Sequence, residues 1–454
     1  MRKSLYFILA AGLMTPACTK DKWFDQKSQL GQVVPSRVQD FQAMLDNPIM
    51  DWNSPYLGET GCDDHYVLDA QFTTLAVNEQ NAYTWSHTSP YKSVVDWGIN
   101  SDGTYARVYY ANLSLDGLKT AAGAGTTDYN NVMGQALFYR ARNFYEALQE
   151  YAPVYDSVKA ATDPGIVLKL ESDITVTSVR STVKDSYNQA IADANAAISL
   201  LPVTPLYKTR PSKPAAYALL ARLYLGVSDY TDAGKYADSC LRLYNTILDF
   251  NTLNYTATYP LANYNNDVIF HCSMNVGNGP VSYSAKVDSL LYKQYDPNDL
   301  RKKLFFAAPA ADGSVAVKQT NFYNTCFSGY TIEEIYMIKA ECSARAGNIS
   351  DAMTYLNTLL RTRYITGTYV DKTAASADEA LGIVLTERRK ELLMHGVRWS
   401  DLRRLNKDPR FAKTITRVVK GKTYTLQPNS LQYTLPIPDD VISQAPTIIQ
   451  NPGY

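Results

Sequence analysis

Apolar residues recur every three or four positions over much of the chain, which is the period of an amphipathic α-helix. The first such run covers residues 36–45, where Val38, Phe41 and Leu45 share a face and Ser36 is placed to cap the helix. Further runs predict helices at residues 105–118, 131–151, 181–201, 211–226, 230–243, 331–346, 350–363 and 376–405, the last broken near Gly396. Residues 415–426 alternate across Lys420-Gly421-Lys422 and predict a β-hairpin. The pattern therefore predicts a mainly α protein with a few short strands.

Two of the predicted helix pairs repeat one spacing of small and bulky residues. In the first pair the positions are Ala221, Tyr224, Tyr230, Ala233 and Cys240, and in the second they are Ala340, Ser343, Ile349, Ala352 and Leu359. The helix over residues 181–201 fits the second half of the pattern. This spacing resembles the tetratricopeptide repeat, whose small residues let two helices approach closely. It predicts a tetratricopeptide-like superhelix, and the alternative is a set of generic helical hairpins with alanine at the contacts.

Residues 47–101 carry few periodic runs but hold three of the five tryptophans. The segment is too aromatic to be disordered, so we expect an ordered, loop-rich region that faces a ligand. Tyrosine is also abundant, with 35 residues, and its apolar face and polar tip suit wet binding surfaces. The candidate ligand-stacking residues are Trp52, Tyr83, Trp85, Tyr91 and Trp97. The alternative is that such aromatic side chains pack in the core.

The amino terminus has the pattern of a secretory signal. A basic start at Arg2 and Lys3 precedes an apolar stretch too short to span a bilayer, and Thr15-Pro16-Ala17-Cys18 follows. A small residue before a cysteine resembles the lipobox of bacterial lipoproteins, although Thr15 stands where leucine is usual. We therefore expect residues 1–17 to be removed, Cys18 to carry diacylglycerol and palmitate, and residues 18–33 to form a tether. A plain secretory signal is the alternative.

Charge and local motifs argue against several other classes of protein. Basic and acidic residues number 44 each, so no excess positive charge is available for nucleic acid. The five cysteines after Cys18 form no CxxC pair, and the four histidines form no HExxH motif, so we predict neither a metal site nor a cofactor. The sequence contains no local motif for a catalytic nucleophile or for nucleotide binding, and we predict no catalytic residues. Asp63-Asp64-His65 fits a cation- or sugar-binding turn, or more simply a solvated loop.

Charged residues alternate along the predicted helix at 386–404. Glu387 and Glu391 lie one turn apart, and arginines surround them at positions 388, 389, 398, 403 and 404, with Asp401 among them. Carboxylates beside guanidinium groups stay ionised and are poor general acids. We therefore interpret this segment as a structural ion-pair network over a packed helix face.

Several motifs are similar to one known family. TERRKELLMHGVRWSDLRR at 386–404 resembles the signature helix of the SusD/RagB outer-membrane lipoproteins, and LPIPDDVISQAPTIIQNPGY at 435–454 resembles that family's ending. The segments at 209–225 and 334–357 are also similar, as are the spaced Tyr105, Val108 and Asn112. His395 stands where the family usually has an acidic residue, which places a titrating group in a structural helix.

The resemblance implies a fold, a division of the chain and a function. The fold would be a SusD-like helical superhelix, with an N-terminal domain at 34–245 and a C-terminal domain at 246–454. The protein would be lipid-anchored at the outer face of the outer membrane. There it would capture an oligosaccharide, or else a peptide, and hand it to a SusC-like TonB-dependent transporter without enzymatic activity. The alternatives are a glycoside hydrolase using carboxylates among Glu59, Asp63, Asp64 and Asp69, or a scaffold that binds a partner protein.

Overall fold

The computed structural model describes residues 34–53, 55–86, 91–92, 96–98, 103–257, 259–274, 285–318 and 326–454. These residues contain sixteen α-helices: α1 Val38–Leu45, α2 Tyr56–Gly61, α3 Asp69–Phe72, α4 Val77–Thr84, α5 Thr104–Leu118, α6 Thr127–Tyr151, α7 Val183–Leu200, α8 Lys213–Gly226, α9 Tyr230–Leu243, α10 Ser289–Tyr292, α11 Leu300–Phe305, α12 Ile332–Arg345, α13 Ile349–Leu360, α14 Ala377–Glu391, α15 Arg398–Leu405 and α16 Asp439–Gln444. The strands are short: β1 Trp52–Asn53, β2 His65–Tyr66, β3 Pro164–Val167, β4 Arg180–Thr182, β5 Val268–Phe270, β6 Ser273–Met274, β7 Lys286–Val287, β8 Cys326–Phe327, β9 Tyr330–Thr331, β10 Ile415–Val419 and β11 Lys422–Leu426.

The long helices form one continuous stack. Helix α5 packs on α6, α6 on α7, α7 on α8 and α8 on α9, and α12 then packs on α9 and on both α13 and α14. Three of these helices begin where a hydroxyl side chain, from Thr126, Thr182 or Ser212, accepts a backbone N–H of the first turn. Such caps satisfy donors that have no partner inside the helix, so they fix where each helix starts.

The contacts between paired helices are made by the small residues that the sequence singled out. Ala221, Ala233 and Cys240 are fully buried where α8 meets α9, and Ala340 and Ala352 are fully buried where α12 meets α13. Small side chains let two helix backbones approach, and stacked pairs bury the faces that one pair alone leaves open. The predicted tetratricopeptide-like superhelix is confirmed.

Most predicted helices are present with boundaries shifted by a few residues. Helix α6 starts four residues before its predicted start, because Thr126 is its cap. The predicted cap of α1 is wrong: Arg37 is the first flanking residue, and the Asp40 carboxylate accepts the backbone N–H groups of Ser36 and Arg37. The loop-rich region also contains the short helices α2, α3 and α4.

Two turns contain residues with positive φ, at positions where the sequence predicts a helix break or a hairpin turn. Helices α14 and α15 are separated by Met394 at φ 56° and Gly396 at φ 70°, which confirms the predicted break. The hairpin of β10 and β11 is antiparallel, with Lys420 at φ 49° and Gly421 at φ 74° in its turn. Two successive positive φ values match the right-handed twist of the two strands.

The predicted ion-pair network is confirmed, and it lies in the core. Arg301, on α11, is fully buried, and its guanidinium nitrogens lie 2.7 Å from Asp299, 2.7 Å from Glu387 and 2.8 Å from Glu391. Arg404 donates to both oxygens of Glu341 at 2.6 and 2.8 Å. The signature helix is thereby fastened to the rest of the C-terminal half and to the repeat helix α12.

Cys62, Cys240, Cys272, Cys326 and Cys342 are buried free thiols, so the described residues form no disulfide. Cys18 and the predicted signal and tether lie outside the described residues. Within the part of the chain that the structure describes, no helix has the length and apolar character needed to cross a membrane.

Candidate functional site

An open groove of about 610 Å³ runs along the outer side of α5. Three parts of the chain that are far apart in sequence line it: residues 97–112, the β3–β4 connection at 167–178, and the tail at 441–448. Its walls combine aromatic rings, aliphatic side chains and a few charged groups, as small-molecule sites usually do.

The floor of the groove is a fixed group of aromatic rings. The Trp97 ring lies 4.8 Å from that of Tyr105 and meets the Tyr151 ring edge-on at 5.0 Å. The Tyr105 hydroxyl donates to the carbonyl of Val167 and accepts that residue's N–H, at 3.0 and 3.1 Å. Gly98, which follows Trp97 in the sequence, has φ +81° and packs against the backbone of residue 103, where a Cβ would clash. The floor is therefore set before any ligand arrives.

Tyr109 lies one helical turn beyond Tyr105 and therefore on the same face of α5. Its side chain is 40% exposed and lines the groove, and the half-buried Tyr110 beside it meets it edge-on at 6.4 Å. A tyrosine in this position offers an apolar ring face and a hydroxyl to a ligand.

The β3–β4 connection, which forms one rim, is held in place by side chains of α5 and α6. The Asn112 amide donates to the carbonyls of Lys169 and Glu171 at 2.9 and 3.1 Å, and Arg140 donates to the Asn112 oxygen at 3.0 Å. Arg140 is itself held by Asp193 at 2.7 Å. Asn112, one of the residues that carried the family resemblance, therefore shapes the groove from below.

Two carboxylates face the groove from that rim, at Glu171 and Asp173. Side-chain and backbone hydrogen bonds from Thr175 lower the pKa of Asp173, so its carboxylate stays ionised at neutral pH. The nearby Lys169 ammonium donates to the carbonyl of Val176. The rim is thus polar and weakly acidic.

The carboxy-terminal tail closes the opposite side. The amide of Asn451 donates to the carbonyls of Tyr151 and Leu435 at 2.9 and 2.7 Å, and Thr447 donates to the carbonyl of Ser178 at 2.7 Å. The short helix α16 lies within this tail. The family-like ending therefore forms one wall of the groove.

The five predicted ligand-stacking residues do not form a shared exposed surface. Tyr83, Trp85, Tyr91 and Trp97 are between 1% and 5% exposed, and Trp52 is half-buried. The Arg417 guanidinium lies 3.8 Å from the Tyr83 ring centre and 4.7 Å from that of Trp85, which makes these rings structural. Among the five, Trp97 lines the groove. Ligand contact by any of them stays a prediction.

The interpretation of Asp63-Asp64-His65 as a solvated turn is wrong. Asp63 is 8% exposed and bound by Arg398 at 2.7 and 3.0 Å, while Asp64 is 1% exposed and bound by Arg389 at 2.7 Å. Glu59 is fully buried, and the exposed Asp69 accepts the backbone N–H of Lys420. These four carboxylates form no pair flanking an open cleft, which a glycoside hydrolase needs.

A helical-repeat scaffold that carries a preformed aromatic groove defines a class of protein with a ready-made surface for a ligand. Residues 230–454 match the model of the SusD family, and residues 22–225 match a model described as starch-binding and associating with the outer membrane. The chain belongs to the SusD family, as the sequence motifs indicated.

Known relatives agree with this assignment. A SusD-like protein of Formosa agariphila is 24% identical over 392 aligned positions, and the match covers 72% of this chain and 74% of that protein. A SusD-like carbohydrate-binding protein of Bacteroides vulgatus has a TM-score of 0.68 at 19% identity, covering 91% of this chain and 98% of that one. Surface glycan-binding protein A of Bacteroides uniformis has a TM-score of 0.71 at 16% identity, covering 92% and 99%. Because these two proteins are only 19% and 16% identical to this chain, their structures support the fold alone.

Proposed function

We propose that this protein captures an oligosaccharide for nutrient uptake and does not hydrolyse it. The observation that carries the proposal is the groove beside α5, where the exposed Tyr109 stands over the fixed floor of Trp97 and Tyr105. The starch-binding description of one matching family model supports a sugar ligand. So do the carbohydrate-binding and glycan-binding proteins that share the fold.

The physical chemistry of the groove suits a sugar. Pyranose rings present C–H faces that pack against aromatic rings, and hydroxyls that need hydrogen-bond partners when they leave water. Tyr109 and Tyr110 supply ring faces, while Asp173 and Gln444 supply polar atoms. A preorganised floor also lowers the entropy lost on binding, because its side chains are already ordered.

The charge of the rim favours a neutral sugar over an anionic one. Glu171, Asp173 and Lys169 all line the groove, so two negative charges stand beside one positive charge and these side chains keep a net charge of −1. A uronate or a sulfated sugar placed there would meet like charges at short range, which disfavours binding. We therefore expect neutral oligosaccharides to bind best.

The test is binding of residues 19–454 to a panel of neutral and acidic polysaccharides, with mixed peptides as a second arm. The proposal predicts saturable binding of a neutral glycan, intact glycan after long incubation, and a loss of about tenfold in affinity in Tyr109→Ala. Tyr259→Ala is the matched control, because Tyr259 is 43% exposed against 40% for Tyr109 and lies outside the groove. Peptide binding alone would move the function to peptide import, and release of sugar fragments would favour the hydrolase alternative.

We propose further that Cys18 anchors the chain by lipid to the outer face of the outer membrane, where it serves a SusC-like TonB-dependent transporter. Two or more acyl chains on one cysteine give a stable anchor. Cells that express the full chain should incorporate a labelled fatty acid, and Cys18→Ala should abolish the label. Copurification of the transporter in mild detergent supports the partner, and a glycan-competent chain that never retains it would contradict that part of the proposal.

A further inference from the structure

A second group of chemically active side chains lies away from the groove, between α2 and β2. One ligand-type atom from each of Glu59, Cys62 and Asp64 lies within 4.8 Å of the other two, and all three residues are buried. The Cys62 Sγ is 3.7 Å from the Glu59 Oε1, and 4.0 Å from the Nδ1 of His65. Three donor groups from a segment of six residues therefore converge inside the protein, with His65 beside the thiol.

This cluster has unused binding capacity. The Oε2 of Glu59 and the Oδ2 of Asp64 are buried, and neither has a hydrogen-bond partner in the described part of the chain. Such orphaned atoms are rare in folded proteins, because each loses its hydration without replacement. Their concentration in one place is what a missing cation would leave behind.

The neighbouring arginines leave part of the cluster without a counter-ion. Arg398 and Lys413 contact Asp63, and Arg389 contacts the other oxygen of Asp64 at 2.7 Å. Among the described residues, none forms an ion pair with Glu59, although that carboxyl group is fully buried. A cation placed between Glu59 and Cys62 would replace the protons of these two groups and become the partner of that carboxylate.

We propose that Glu59, Cys62 and Asp64 form a structural zinc site. His65 Nδ1, 4.0 Å from the thiol, would become the fourth donor by moving closer to Glu59 and Asp64. A tetrahedral zinc ion with bonds of about 2.0 to 2.3 Å needs ligand atoms roughly 3.3 to 3.8 Å apart. The 3.7 Å between Cys62 Sγ and Glu59 Oε1 lies inside that range, and the atoms of the three residues, which lie within 4.8 Å of one another, would have to approach by up to about 1 Å.

The donor set selects the metal. A thiolate with two carboxylates and an imidazole suits zinc, whereas calcium and magnesium prefer oxygen ligands alone. Binding would release the thiol proton of Cys62 and the carboxyl proton of Glu59 to solvent, with no change of oxidation state.

A metal here would stabilise the packing of the signature helices. Gly58 and Gly61, on the same helix as Glu59, lie directly against the Trp399 ring of α15, where an added Cβ would come within 2.8 and 3.0 Å. Fixing the end of α2 therefore fixes the surface on which α15 rests.

The test uses residues 19–454 expressed or refolded with zinc or with a chelator, since a buried site fills as the chain folds. The zinc-grown protein should retain about one zinc per chain through gel filtration. The cobalt-loaded protein should show a thiolate-to-cobalt charge-transfer band. Cys62→Ser should remove the band, and Glu59→Gln should weaken zinc binding at least about tenfold.

The matched control is Cys240→Ser, which removes another fully buried free thiol, on α9, and should keep both metal and band. Circular dichroism checks that each variant is folded, and Glu59→Gln carries the test if Cys62→Ser does not fold. A folded chain that retains no zinc, or that holds zinc equally well in Cys62→Ser and in Cys240→Ser, would overturn the site.

Discussion

Replacing Arg301 by methionine removes the cation at the centre of the buried ion network while keeping most of the side-chain volume. The arginine is fully buried and contacts Asp299, Glu387 and Glu391 at 2.7 to 2.8 Å. Two other cations remain: Lys390 lies 2.9 Å from Glu387 and 3.3 Å from Asp299, and Arg363 lies 2.6 Å from Glu391.

The size of the loss follows from that remaining compensation. The two remaining cations face three carboxylates, so one buried negative charge is left uncompensated, and the cost is that of breaking one buried pair, about 3 to 5 kcal/mol, rather than three such pairs. Arg301→Lys keeps the charge, but its single ammonium group cannot bond to three carboxylates as the guanidinium does, so its loss of stability should be intermediate. Arg361→Ala is the control, because its pair with Asp371 is 56% and 48% exposed and contributes at most about 1 kcal/mol.

Urea unfolding followed by tryptophan fluorescence and circular dichroism measures the three free energies of unfolding. Arg301→Met should lose the most stability, Arg301→Lys should lose less, and Arg361→Ala should lose the least. If Arg301→Met lost no more than Arg361→Ala, the buried network would not stabilise the fold and this reasoning would fail.

Two further predictions concern a buried acid and two glycines. Burial raises the pKa of Asp96 from 3.8 to about 7, so between those pH values the folded chain keeps a proton that the unfolded chain releases, and stability falls as pH rises. Asp96→Asn keeps an acceptor for the Leu57 N–H but does not titrate. Its free energy of unfolding, relative to that of the parent chain, should therefore rise by about 1.4 kcal/mol per pH unit across that window. If the urea midpoints of the two chains shifted in parallel with pH, the prediction would be wrong. Gly329→Ala places a Cβ 2.1 Å from the Phe270 carbonyl oxygen and should lower stability by at least about 1 to 3 kcal/mol in thermal unfolding. Gly382→Ala, in the middle of α14 with nothing within 4 Å, should instead raise stability by about 0.5 to 1 kcal/mol, and a loss there would show that the glycine has another role.

The helical scaffold was predictable because its signals are local. The alanine spacing of the repeats, the break at Gly396 and the turn at Gly421 are each set within a few residues, so periodicity and turn chemistry identify them. The predicted start of a helix was less accurate where the helix is not capped by the expected residue. At Arg37 the stabilising group is the carboxylate of Asp40, inside the helix, rather than a side chain before it.

The candidate site was harder to predict because its parts are distant in sequence. Asp64 reads as a polar turn residue, yet it is buried against Arg389, which is 325 positions away. The sequence of residues 52–97 does not distinguish buried aromatic rings from exposed ones, because their burial depends on distant partners such as Arg417. Tyr109 was missed, although its spacing from Tyr105 places both on one face of α5.

Hydrogen exchange with and without a bound neutral oligosaccharide tests the central claim most directly, because it locates the ligand without assuming which side chains contact it. The account predicts slower exchange in α5, in residues 167–178 and in residues 439–448, with the stack from α7 to α9 unchanged. Saturable binding that protects the region around β1, β6 and β8 instead, and leaves α5 unchanged, would contradict the groove as the site of capture.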